Sequence, residues 1–142
     1  MLDRPAHATE TSVAEMIFGT WEVTRKVIDH RAGAVYAFSG QAEIACELFE
    51  ERGEMSVGGN VLQAVRTYGL IFEDGAVRVL YPSGNEFISV GFDGAQRVSH
   101  LCGSDLYKGR FFFESMDSWV EVWRVNGPQK RYSSLSRYVR LT

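Results

Sequence analysis

Two cysteines in 142 residues are too few for a disulfide framework. Cys46 and Cys102 are read instead as small buried apolar residues in a reducing compartment. A basic excess is also missing, since 15 Lys and Arg stand against 18 Asp and Glu, a net charge of -3. That balance gives no global attraction for nucleic acid or for anionic membrane surfaces. No stretch approaches the roughly 18 apolar residues of a membrane helix, and Met1 to Glu10 lacks the apolar run of a secretory signal. The expectation is a cytoplasmic protein without nucleic-acid or membrane partners, either monomer or homodimer.

Proline is scarce as well, at 3 against 14 glycines, while 9 Phe, 6 Tyr and 3 Trp make the chain rich in aromatics. Aromatic residues favour strands and glycines favour tight turns. Hydrophobic and charged shares of 45% and 23% are those of an ordinary globular protein. A chain of 142 residues has the length of one domain.

Residues 1–8 show no periodicity and are expected to form a loosely held tail, with one barrel domain over 9–142. A short capping helix is predicted from Ser12 to Phe18. Ser12 and Glu15 have capping-box spacing, Val13, Met16 and Ile17 form an apolar stripe, and Gly19 stands at the stop position. Beyond Trp21 the hydrophobic period becomes two. From Tyr36 to Leu48, for instance, Tyr36, Phe38, Ala42, Ile44, Cys46 and Leu48 share one face, and Ser39, Gln41, Glu43 and Glu47 the other.

Turn signals recur at His30 to Gly33, Glu51 to Gly53, Gly58 to Asn60, Asp74-Gly75, Pro82 to Asn85, Asp93-Gly94, Gly103-Ser104, Asp117-Ser118 and Asn126 to Pro128. Such spacing predicts a meander of about 8–10 antiparallel strands. Closing the meander removes two aggregation-prone edges, so the expected fold is all-β, a closed up-and-down barrel with a short N-terminal capping helix.

Phe18-Gly19-Thr20-Trp21 places a G-x-W at the junction of helix and first strand. It resembles the opening of the lipocalin and calycin group of barrels. That resemblance implies Trp21 buried at the barrel base with a last-strand arginine, Arg137 or Arg140, packed across it. A wider likeness lies in His100-Leu101-Cys102-Gly103-Ser104-Asp105-Leu106-Tyr107-Lys108-Gly109, in Gly127-Pro128-Gln129-Lys130 and in Ala64 to Tyr68. It resembles a bacterial calycin-like family of unknown function with H-x-C-x-x-D-x-Y-x-G and G-P-x-K motifs. The likeness implies a barrel and supplies no activity.

Arg66, Tyr68, His100, Tyr107, Trp123 and Tyr138 are the candidate ligand-binding residues. Each lies within a predicted strand, and residues two apart share a face. Turned inward, they form aromatic walls with a few polar groups, suited to a small, partly apolar ligand that is acidic or aromatic. Arg66 would grip its acid. The competing structural reading is a barrel filled by its own side chains.

Two other chemistries use the same interior. One is an isomerase, decarboxylase or cyclase working by Tyr, Arg and His acid–base catalysis, and the other is haem held by His100. No catalytic residue is assigned. His100, Cys102 and Asp105 lack the fourth ligand and second paired motif of a structural zinc site, so no metal is expected.

Overall fold

The computed structural model describes residues 16–142. Ten strands run in sequence order: β1 (Gly19–Asp29), β2 (Ala34–Ala45), β3 (Leu48–Val57), β4 (Asn60–Glu73), β5 (Ala76–Leu80), β6 (Glu86–Gly91), β7 (Ala95–Cys102), β8 (Asp105–Ser115), β9 (Ser118–Asn126) and β10 (Arg131–Arg140). All pair antiparallel in one sheet of order β6-β5-β4-β3-β2-β1-β10-β9-β8-β7. The expected meander is therefore present, with its first and last strands paired over Trp21 to Asp29 and Tyr132 to Arg140. The two ends of that order, β6 and β7, are consecutive in sequence and lie side by side without a hydrogen-bond ladder. The result is a nearly closed barrel with one unzipped seam.

Alternation decides which side chains turn inward. On β1 these are Trp21, Val23, Arg25 and Val27, with Glu22, Thr24 and Lys26 outside. Phe38, Ala42 and Ile44 are buried on β2, as the period of two predicts. The strand ends sooner than expected, however, because the chain reverses at Cys46-Glu47 with Cys46 in the left-handed region at φ 53°. Cys46 is thus exposed, and Leu48 begins the next strand. Cys102 is exposed too, at the end of β7. Neither cysteine belongs to the core, since each sits where a strand gives way to a turn.

The turn expected at Glu51 to Gly53 does not form. Those residues continue β3, and Gly53 pairs with Gly40 of β2. The two backbones approach so closely that a Cβ on Gly40 would overlap the Arg52 carbonyl oxygen and Gly53 Cα. Glycine here serves a sharply curved wall rather than a reversal. Gly40→Ala is expected to lower stability by about 1–3 kcal/mol, as overpacking against backbone does. Urea unfolding checks this, and an unchanged midpoint would show that the wall yields without cost.

Ser12 and Glu15 of the predicted capping box lie outside the described residues. Met16 and Ile17 are helical, and the chain enters β1 through Gly19 at φ 133°. Trp21 is fully buried beneath them and donates its indole N–H to the Ile17 carbonyl at 2.9 Å. Of the two arginines proposed to cover it, Arg140 does so, with its guanidinium 4.2 Å from the Trp21 ring centre. Its Nη atoms donate to the Met16 and Phe18 carbonyls, groups that a helix end leaves without partners. Arg137 points outward and pairs with Glu114.

Candidate functional site

The barrel encloses a cavity of about 540 Å³, lined from Ile17 near the Trp21 end to Tyr107 and Tyr132 near the other. Inward positions at the far end, such as Leu62, are exposed, which sets the opening there. Aliphatic side chains including Ile44, Leu70, Val77 and Val90 form the lower wall. Phe49, Phe87, Phe111, Phe113, Trp119 and Trp123 supply half of the aromatic side chains in the wall.

Four of the six residues proposed from sequence line this cavity: Arg66 and Tyr68 of β4, Tyr107 of β8 and Trp123 of β9. His100 also turns inward but does not line the cavity; its ring packs against Tyr81 and Phe87, with centroids 5.8 and 5.2 Å away. Tyr138 lies beneath the cavity and is fully buried. Its ring stacks on Trp119 at 4.3 Å, and its hydroxyl joins a polar cluster.

That cluster contains residues the sequence reading missed. Arg25 grips Glu51 through two bonds of 2.9 Å, from Nη1 to Oε2 and from Nη2 to Oε1. It also donates to Ser136 Oγ at 2.6 Å and to the Tyr138 hydroxyl at 3.0 Å. Tyr138 in turn donates to Glu51 Oε1 at 2.7 Å. The signal was present in the alternation. Arg25 follows Trp21 and Val23 on the buried face, and Glu51 follows Phe49 once the preceding turn is placed at Cys46-Glu47.

Burial raises the cost of the Glu51 charge, yet the Arg25 hydrogen bond and the Arg66 charge outweigh it, holding the carboxyl below the usual range. Burial and the charge of Glu121 push the Tyr138 phenol well above its ordinary value. Glu121 is itself buried and accepts the indole N–H groups of Trp119 and Trp123 at 3.0 and 3.1 Å.

Arg66 stands at the edge of this cluster. Nη2 reaches the Tyr138 hydroxyl at 3.2 Å and Glu51 Oε1 at 3.5 Å. Nε lies 2.8 Å from Glu51 Oε2 without being aligned to donate, and it has no hydrogen-bond partner among the described residues. The side chain stays 39% exposed because it borders the cavity, whereas Glu51 is only 2% exposed. Burial opposes the Arg66 charge, but Tyr138 and Glu51 prevail and keep it ionised.

The two motif segments meet at the mouth. Lys130 Nζ is 3.6 Å from Asp105 Oδ2, whose side chain is tucked against Gly127. Gly109 faces Trp123 in register, and a Cβ there would meet the indole at 2.8 Å, so this glycine lets the ring lie flat on β8. Among the described residues no group of three His, Cys, Asp or Glu is placed to hold a metal ion.

The fold is shared with proteins of quite different sequence. The S-type phycobiliprotein lyase from Guillardia theta superimposes with a TM-score of 0.65 at 13% identity, over 96% of this chain and 95% of that one. A protein of unknown function from the DUF3598 family of Nostoc punctiforme gives 0.60 at 14% identity, over 89% of this chain. Only 48% of that second protein is covered, so this chain spans about half its length. No curated protein matches the sequence. Residues 17–140 match the model of a family of unknown function, DUF6314, and the chain belongs to that family.

Proposed function

We propose that this barrel binds a small, partly apolar ligand carrying an acidic group, in its internal cavity. The observation that carries the reading is Arg66: a guanidinium bordering an aromatic cavity, its side chain 39% exposed, while Arg25 already grips the Glu51 carboxylate. An acid arriving in the cavity would meet the exposed part of this guanidinium in a charge-assisted hydrogen bond. The aromatic walls would desolvate the rest of the ligand. A shared architecture with a phycobiliprotein lyase is compatible with this reading and contributes fold alone.

Binding has more support than acid–base catalysis by this cluster. Tyr138 is held protonated by burial and the Glu121 charge, and Glu51 is held ionised by Arg25, so neither changes state near neutral pH. An axial haem ligand needs an imidazole facing the cavity, and His100 packs against Tyr81 and Phe87 without lining it.

Titration with anthracene carboxylate, beside its neutral carboxamide, tests the proposal. Arg66→Gln is expected to weaken the carboxylate about tenfold or more, the size of one charge-assisted hydrogen bond, and to leave the carboxamide unchanged. Arg25 still holds Glu51 in this variant, so the fold is retained. Equal weakening of both probes, or no binding of the carboxylate to the parent, would overturn the proposal.

A further inference from the structure

The ring at the centre of the aromatic cluster is on the least anchored strand. Phe87 lies on β6, a six-residue edge strand. Its only ladder is to β5, with a register shift at Val79/Leu80, and β5 in turn reaches only Gly69 to Glu73 of β4. Toward β7 there is no ladder. Edge strands held by few hydrogen bonds occupy the low end of local stability.

Phe87 is nearly parallel to two other rings and also meets Tyr81, His100 and Tyr107 at 5.0, 5.2 and 6.0 Å. Tyr68 comes from β4, on the β6 side of the seam, with centroids 6.0 Å apart and planes 16° apart, and Trp123 from β9, on the β7 side, at 5.4 Å and 17°. Both outer rings are on well-held strands. Tyr68 pairs in register with Phe49 of β3, and Trp123 is on β9 between β8 and β10, seated on Gly109. The Arg66 guanidinium is 5.5 Å from the Tyr68 ring centre. The molecule thus has two fixed aromatic walls, a cation beside one of them, and between them a ring of its own on a weakly held strand.

We infer that the gap between Tyr68 and Trp123 is a subsite for a flat aromatic or heteroaromatic ring whose acid reaches Arg66, and that Phe87 occupies it until the ligand displaces it. This rests on the binding reading above and narrows the ligand class from partly apolar acids to planar aromatic acids. The β6–β7 seam gives Phe87 a way out, because no ladder has to break for β6 to move away from β7. A flat guest restores the two parallel contacts of the departing ring, whereas a bulky saturated acid restores neither; the loss of its contacts with Tyr81, His100 and Tyr107 is part of the cost of displacement.

Calorimetric titration of the parent, Phe87→Ala and Phe87→Val with anthracene carboxylate and adamantane carboxylate tests the inference. Valine keeps the strand preference of β6 if the alanine variant folds poorly, and thermal melting verifies that the variants are folded. Removing the plug abolishes the cost of displacing it, so the variants are expected to bind the flat acid about tenfold more tightly, while the saturated acid, which loses part of the cavity wall, gains nothing. Unchanged or weaker binding of the flat acid by a folded variant would overturn the inference while leaving the binding reading intact. An equal gain for both acids would also overturn it, showing an enlarged void and no ring subsite. Absence of binding of the flat acid to the parent would instead remove the binding reading, and this inference with it.

Discussion

Glu51→Gln is expected to destabilise the protein by about 3–5 kcal/mol, the cost of removing one partner from a buried ion pair. Glu51 neutralises Arg25 through two bonds of 2.9 Å and stands beside Arg66. Glutamine keeps the shape and removes the charge. Arg25, itself only 9% exposed, would then be buried with Ser136 and Tyr138 as neutral partners. Urea unfolding measures the loss, and a change below about 1 kcal/mol would place the pair among interactions no stronger than surface salt bridges.

The same carboxylate predicts a pH dependence. Its folded pKa is lowered, so its contribution is complete above the unfolded value of roughly 4.3 and is lost as pH falls through the folded value. The parent should therefore lose stability on acidification below about pH 4. Glu51→Gln should start lower and fall less steeply. The arginines stay charged throughout, and the Tyr138 phenol is pushed too high to titrate in this range.

Trp21→Ala should cost about 3–5 kcal/mol, as truncation of a buried tryptophan does. The indole closes the base of the barrel, meets Trp119 edge-on at 4.4 Å and donates to the Ile17 carbonyl. Its removal also takes away the ring beneath Arg140, a desolvated cation–π contact. Against a total stability of about 5–15 kcal/mol, such a loss depletes the folded state measurably. Trp21→Phe keeps a ring but strands the Ile17 carbonyl, so it should retain part of the stability. A melting temperature unchanged in the alanine variant would show that the helix end and Arg140 close the base without the indole.

Much of the fold was legible because strand alternation is a local property. Trp21 and Phe38, and the Asp-Gly and Asn-Gly turns, show which face is buried and where the chain reverses. The candidate site was legible where alternation was unbroken, as at Arg66 with Tyr68. It was lost where a turn used unusual residues. Cys46 adopts a left-handed backbone that favours glycine, so the reversal there carried no sequence signal. The strand after it was then misplaced, and Glu51, at the centre of the buried cluster, was assigned to a turn.

The sequence by itself determined the strands, their meander and the inward side of most of them, because period and turn chemistry act between residues close in the chain. Only the tertiary structure decided that Arg25, Glu51, Arg66 and Tyr138 meet, from strands β1, β3, β4 and β10. It also decided that Phe87, which the register shift leaves without a partner on β5, meets both Tyr68 and Trp123. Contacts across a barrel depend on its stagger and closure, quantities fixed by the whole sheet together and by no single stretch of residues.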